Sequence, residues 1–172
     1  EMWERGFVFV PLLPHLFLAQ TLSAQFDMTT LLEAELKVKV LKWTEKLCRT
    51  LEQQYRDHSL RSAIHNQKMN GTDEHLQERV RKLETEEEDR IRFFIKKGKK
   101  FYKICMGWKQ PNPQFGEDIS VHAFVDKETG EVYKPAGWKQ PAKHVRFDMR
   151  DETQRARMYA ICDWAGGYLY IR

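Results

Sequence analysis

The chain is poor in the residues that staple small folds or hold metals. It has three cysteines, Cys48, Cys105 and Cys162, far apart and with no Cys-x-x-Cys pair. That pattern excludes a disulfide framework and a zinc finger or ribbon, and it fits reduced, buried thiols in a cytosolic protein. The histidines never fall into an HxxxH or HExxH spacing, and Lys97-Gly98-Lys99 is one glycine without P-loop spacing. Neither a metal nor a phosphate-loop cofactor is therefore expected. Glycine (9) and proline (6) are sparse and no tract is of low complexity, which argues against wholesale disorder. No long hydrophobic run is present either. Phe7–Leu18 is cut by Pro11 and Pro14 and is too short for a bilayer, so no membrane partner is expected.

What is present is charge, unevenly placed. Residues 1–92 hold 14 Lys/Arg against 16 Asp/Glu, a balance of −2, and residues 93–172 hold 15 against 9, a balance of +6. The basic C-terminal part favours polyanions or acidic protein surfaces.

Three segments follow. Residues 1–27 do not match the rest and read as a leader or non-native extension, with Met28 as the expected start. A secretory leader is the alternative, since Leu22-Ser23-Ala24 tolerates cleavage and Arg5 precedes the apolar run, although Glu1 and Glu4 spoil a basic n-region. Residues 28–95 carry two helical stripes. Thr30-x-x-Glu33 is a capping box, and Leu32, Leu36, Val40, Trp43, Leu47, Leu51 and Tyr55 step by three and four to about Asp57. After the turn signal Asn70-Gly71, Thr72 can cap a second stripe, Leu76, Val80, Leu83, Glu87, Ile91 and Phe94. This predicts an antiparallel helical hairpin, with homodimerisation open if the stripes are not fully covered.

Residues 96–172 predict a small antiparallel sheet with one crossing helix, so that the whole chain is α+β. Strands are expected at Phe101–Met106, Ile119–Asp126, Glu131–Lys134 and His144–Asp148, with a closing strand at Tyr168–Ile171. Val121, Ala123 and Val125 share one face of the second strand, and Ser120, His122 and Phe124 the other. Lys127-Glu128-Thr129-Gly130 is a hairpin turn. Asp151 caps a helix to about Asp163, with Met158, Ile161 and Cys162 inward. Gly107–Gly116 and Pro135–Pro141 are expected loops. The first begins Gly107-Trp108-Lys109-Gln110-Pro111, repeated as Gly137-Trp138-Lys139-Gln140-Pro141. If both loops lie at one edge of the sheet, they form a surface of two indoles and two cations.

Ser120-Val121-His122-Ala123-Phe124-Val125, Thr129–Ala136, Trp138-Lys139-x-Pro141-Ala142-Lys143-x-Val145-Arg146 and Ala165–Tyr170 together resemble a family of small proteins encoded by tailed bacteriophages. The resemblance covers about residues 99–172. It implies a phage origin, a host-cytoplasmic setting and a role in takeover of the host or defence against it. It carries no catalytic residues.

The candidate binding residues are Lys97, Lys99, Lys100, Lys103, Trp108, Lys109, Lys134, Trp138, Lys139, Lys143 and Arg146. Cations neutralise phosphates and exposed rings stack on unpaired bases, so the leading expectation is a non-enzymatic accessory protein. It would bind single-stranded nucleic acid or an acidic host protein. The alternatives are an inhibitor of a host nuclease or defence effector, and a small nuclease or nucleotide-processing enzyme. For the last, His122 is the one weak catalytic candidate, as a general base.

Overall fold

The structure is a computed structural model that describes residues 14–71, 73–85, 91–112 and 116–170. It is α+β. Helix α1 spans Pro14–Asn70 and α2 Glu74–Glu84. Five strands follow, β1 Ile91–Lys97, β2 Phe101–Asn112, β3 Gly116–Asp126, β4 Glu131–Pro135 and β5 Pro141–Asp148, then α3 Glu152–Ile161 and a 3-10 turn at Gly167–Leu169. All strand pairs are antiparallel and the spatial order is the chain order.

The helices differ from expectation in length. The stripe predicts the first from Thr30 to about Asp57, but from His15 to Asn70 the chain has neither glycine nor proline. Pro14 opens α1, where its missing N–H costs nothing, and Gly71, at φ +80°, stops it. Part of the expected leader, residues 14–27, is thus helical, and residues 1–13 lie outside the described residues. The fading of the apolar stripe after Asp57 does not mark an end, since α1 runs on to Asn70. Tyr55 and His58 sit 5.3 Å and 5.2 Å, ring centre to ring centre, from Trp164. The second helix is shorter than its stripe predicts. Its cap is Asp73, whose carboxylate accepts from Leu76 N at 2.7 Å; Thr72, the expected cap, lies outside the described residues.

Ile91 and Phe94, the expected end of that second stripe, belong instead to β1. The run Ile-Arg-Phe-Phe-Ile is rich in β-branched and aromatic residues and pairs residue by residue with β2, from Ile91 opposite Trp108 to Lys97 opposite Tyr102. β1 is an edge strand, and the Phe93 N–H on its free side donates to Glu52 Oε1 of α1 at 2.8 Å. The boundary expected at 95/96 falls inside β1.

The core explains what α1 is for. Val40, Leu47 and Leu51 are fully buried and share one cluster with Ile104, Ala123, Val125, Val132, Met149, Met158 and Leu169. Thr44 lies among them because its hydroxyl donates to Val40 O at 2.7 Å, which satisfies a buried polar group. The Tyr159 hydroxyl of α3 donates to Trp43 O at 2.9 Å. The helix expected as an attachment is therefore the layer that covers one face of the sheet. The chain divides into two compact units, Glu1–Glu35 and Leu36–Arg172. In the first, Met28, Leu31 and Leu32 are exposed.

Three local expectations are revised. Ile161 on α3 is exposed, while Met158 and Cys162 are buried. The closing strand is a 3-10 turn after Gly166, at φ +80°, and Ile171 lies outside the described residues. Gly107–Asn112, expected to open a loop, continues β2; residues 113–115 lie outside the described residues.

Candidate nucleic-acid interface

The site is built from the sheet face opposite α1. Tyr102, Ile104, Met106 and Trp108 alternate toward the core on β2, so Lys103 points the other way. Reading across the ladder, Lys96 stands opposite Lys103, Lys103 opposite Phe124, Phe124 opposite Tyr133 and Tyr133 opposite Val145. Residues directly opposite one another share a face, so one row crosses all five strands. Phe101 packs edge-on against Phe124 at 6.0 Å and against Tyr133 at 5.9 Å. These rings leave Phe124 4% exposed. The Tyr133 hydroxyl donates to Glu131 Oε2 at 2.7 Å.

Two turns flank the row. The β1–β2 turn carries Lys97, Gly98, Lys99 and Lys100, all exposed. The β4–β5 turn is closed by Ala136 and Gly137 N–H groups donating to Gln140 O at 2.9 Å and 3.3 Å. A meander places these turns at opposite ends of the sheet, yet Lys103 Nζ donates to Trp138 O at 3.3 Å and lies 5.3 Å from the indole centre. Lys139 joins Lys96, Lys97, Lys99, Lys100 and Lys103 around a depression of about 350 Å³ floored by Phe101 and Phe124. The β4–β5 turn thus bends over the outer face. Trp138 is 46% exposed.

Of the sequence candidates, the structure brings together Lys97, Lys99, Lys100, Lys103, Trp138 and Lys139. Lys96 and Tyr133, part of the same basic and aromatic stretch of sequence, join them, and the structure adds Phe101 and Phe124, which alternation within β2 and β3 identifies once the core face is known. Lys100 Nζ is also 3.5 Å from Asp126 Oδ2, whose other oxygen holds the β3–β4 turn by accepting from Glu128 and Thr129 N–H groups. The remaining candidates lie elsewhere. Trp108 packs against the core, so the two indoles are on opposite faces of the sheet and the two-indole surface does not form. Lys109 is exposed on β2, and Lys143 on β5. Lys134 lies 3.7 Å from the Tyr170 ring centre, on the other side of β4 from Tyr133. Arg146 is spent internally, donating to Leu169 O at 2.6 Å and to His144 O at 2.7 Å.

His122 does not face the outer side with Phe124. Ile104 pairs with Ala123 and Cys105 with Val121, which leaves His122 as an extra residue in β3. Such a bulge locally redirects the side chain. Its ring packs edge-on to Phe93 at 5.3 Å and stacks on Tyr168 at 5.7 Å, and Nε2 is 3.0 Å from the Tyr168 hydroxyl. Burial pulls the imidazole down to about 4, opposed by the nearby Asp163 carboxylate. The same enclosure raises the Tyr168 phenol well above its ordinary value. Burial pushes the Cys48 and Cys162 thiols up to about 12 and about 11. At neutral pH the thiols are protonated and the imidazole is neutral and enclosed, which suits packing rather than nucleophilic or general-base chemistry. Among the described residues, no group of His, Cys, Asp and Glu side chains could hold a metal ion, and no helix is long and apolar enough to cross a membrane.

Fold and surface together define an α+β protein with one sheet face under a helix and the other lined by lysines around aromatic rings. The chain belongs to a family of unknown function, DUF7717, whose model matches residues 23–171 and so takes in α1 as well as the sheet. No curated protein and no solved structure matches it.

Proposed function

We propose that the protein is a non-enzymatic bacteriophage accessory protein, acting in the host cytoplasm, that binds nucleic acid on the outer face of its sheet. The observation that carries this reading is the convergence of six lysines, from two turns and two strands, on one depression floored by aromatic rings. Lys96 and Lys103 stand directly opposite each other, so two of the cations sit side by side on this face. Cations that neutralise phosphates beside accessible rings make up the usual composition of nucleic-acid grooves. The phage setting rests on the resemblance of residues 99–172 and on no feature of the surface.

The test is a titration of the full chain with a labelled oligonucleotide across a salt series. Binding is expected at about 50 mM salt with a steep log–log slope, and replacing Lys97, Lys99 and Lys100 by serine flattens that slope by roughly 0.7–0.9 for each phosphate that is no longer neutralised. Absence of binding at low salt overturns the reading. Retention of a stoichiometric acidic protein by the same face, with no oligonucleotide bound, would replace nucleic acid by a protein partner.

A further inference from the structure

The lysine-lined face contains one element that phosphate neutralisation does not need. Trp138 sits at the tip of a five-residue turn whose backbone is closed on Gln140 and whose flanks, Pro135 and Pro141, are paired with each other. Proline fixes one backbone angle at each flank, so the turn is stiff. Lys103 reaches it from β2 and fixes it twice, through the Trp138 carbonyl and over the indole. The result is a large ring, half exposed, held in place beside a bank of cations. An exposed indole that only filled space would need neither the stiff turn nor the clamp. Lys139, the next residue, lines both the depression and the hollow of the turn itself, so the ring and the cations form one surface.

Resting on the nucleic-acid reading above, we propose that this face selects unpaired nucleic acid, with Trp138 as the platform on which one base stacks. Lys103 is the positioning residue for that platform. A duplex keeps the faces of its bases inside its own stack and offers phosphates and base edges outward, so an indole gains little from it. A single strand can lay a base on the ring while its backbone crosses Lys139 toward Lys97, Lys99 and Lys100. Stacking of this kind tolerates any base, because every base has a π-face. Little sequence preference is therefore expected.

The experiment uses the full chain, an oligo-dT strand, a mixed-sequence strand and the duplex formed from that mixed strand, all of equal length. The single strands are expected to bind more tightly than the duplex and to alter tryptophan emission. Trp138→Ala should weaken single-strand binding by about tenfold while leaving duplex binding and the salt slope unchanged, and Trp138→Phe should recover most of the loss. Lys103→Met should lower single-strand affinity and loosen the indole, seen as a fall in emission anisotropy, with Lys103→Arg restoring both. A thermal melt of Trp138→Ala like that of the parent assigns the loss to the surface. Equal affinity for strand and duplex with a steep salt slope, or a Trp138→Ala variant that binds strands as before, would overturn the inference and leave the broader reading standing. Failure of both nucleic-acid forms to bind overturns both.

Discussion

On the α1 side of the sheet, Ile104, Ala123, Val125 and Val132 lie sealed under Val40, Leu47 and Leu51. On the other side, along the same strands, Lys96, Lys103, Tyr133 and Val145 are partly or wholly exposed, while Phe124 is buried. The covered face is held by complementary packing, where each methylene removed from water contributes about 0.8 kcal/mol. The open face gathers cations that are tied to their surroundings one by one, Lys103 to the Trp138 carbonyl and Lys100 beside Asp126. The contrast separates substitutions expected to unfold the protein from those expected to act on the proposed binding face alone.

The largest expected effect is on the covered face. Leu47→Ala removes a fully buried side chain where α1 meets the sheet and should destabilise by about 2–5 kcal/mol, read from the urea midpoint. A loss under about 0.5 kcal/mol, the range of surface changes, would mean that α1 is not part of the core.

Next comes acid. His122 titrates near 4 in the folded chain and near its ordinary value of 6.5 once unfolded. Because the unfolded chain binds more protons between those values, stability is fully present above about 6.5 and falls as the pH drops toward 4. The loss from this group is about 3 kcal/mol. Urea midpoints at neutral pH and at the acid limit measure it. His122→Gln should flatten the dependence, and an unchanged acid limb would show that the imidazole is not enclosed.

The smallest expected effect is at the join between layers. Gly130 turns the β3–β4 hairpin at φ +70°, and a Cβ there would meet Val40 Cγ2 at 3.3 Å. Gly130→Ala should cost about 1–2 kcal/mol for the left-handed backbone alone, seen as a lower Tm. No shift in Tm would mean that the turn relaxes without moving α1.

The parts that can be read from the sequence are those written locally. The stripe Val40, Leu47, Leu51 announces a buried helix face, and Thr129-Gly130 announces a hairpin. Periodicity names a face and not its partner, which is why the stripe of α1 points to a second helix and does not reveal that Val40, Leu47 and Leu51 pack on the sheet. Ile91 and Phe94 continue the helical rhythm of Leu76, Val80 and Leu83 closely enough to pass as its end. A short apolar run does not distinguish the two periods, and pairing with β2 decides it. The lysines of the β1–β2 turn are contiguous and visible at once. The pairing of Lys103 with Trp138 is not, since it depends on a turn from the far end of the meander bending back over the face. The echo of five residues misleads because identical sequence meets different surroundings. One copy extends a paired strand with its indole on the core, and the other makes a turn. Alternation assigns His122 to the wrong face because a strict period of two has no place for a bulge.

Glu52 has a further consequence for how the molecule behaves among its own kind. The free side of β1 presents Ile-Arg-Phe-Phe-Ile, a proline-free, β-prone run of the sort that templates fibril growth when its edge is bare. By accepting the Phe93 N–H, Glu52 fills the ladder position that a carbonyl of an incoming strand would take, and it puts a carboxylate there. A strand arriving from another molecule must displace that charge before it can add to the sheet. The helix that seals the core thereby also guards the margin of the sheet against runaway growth.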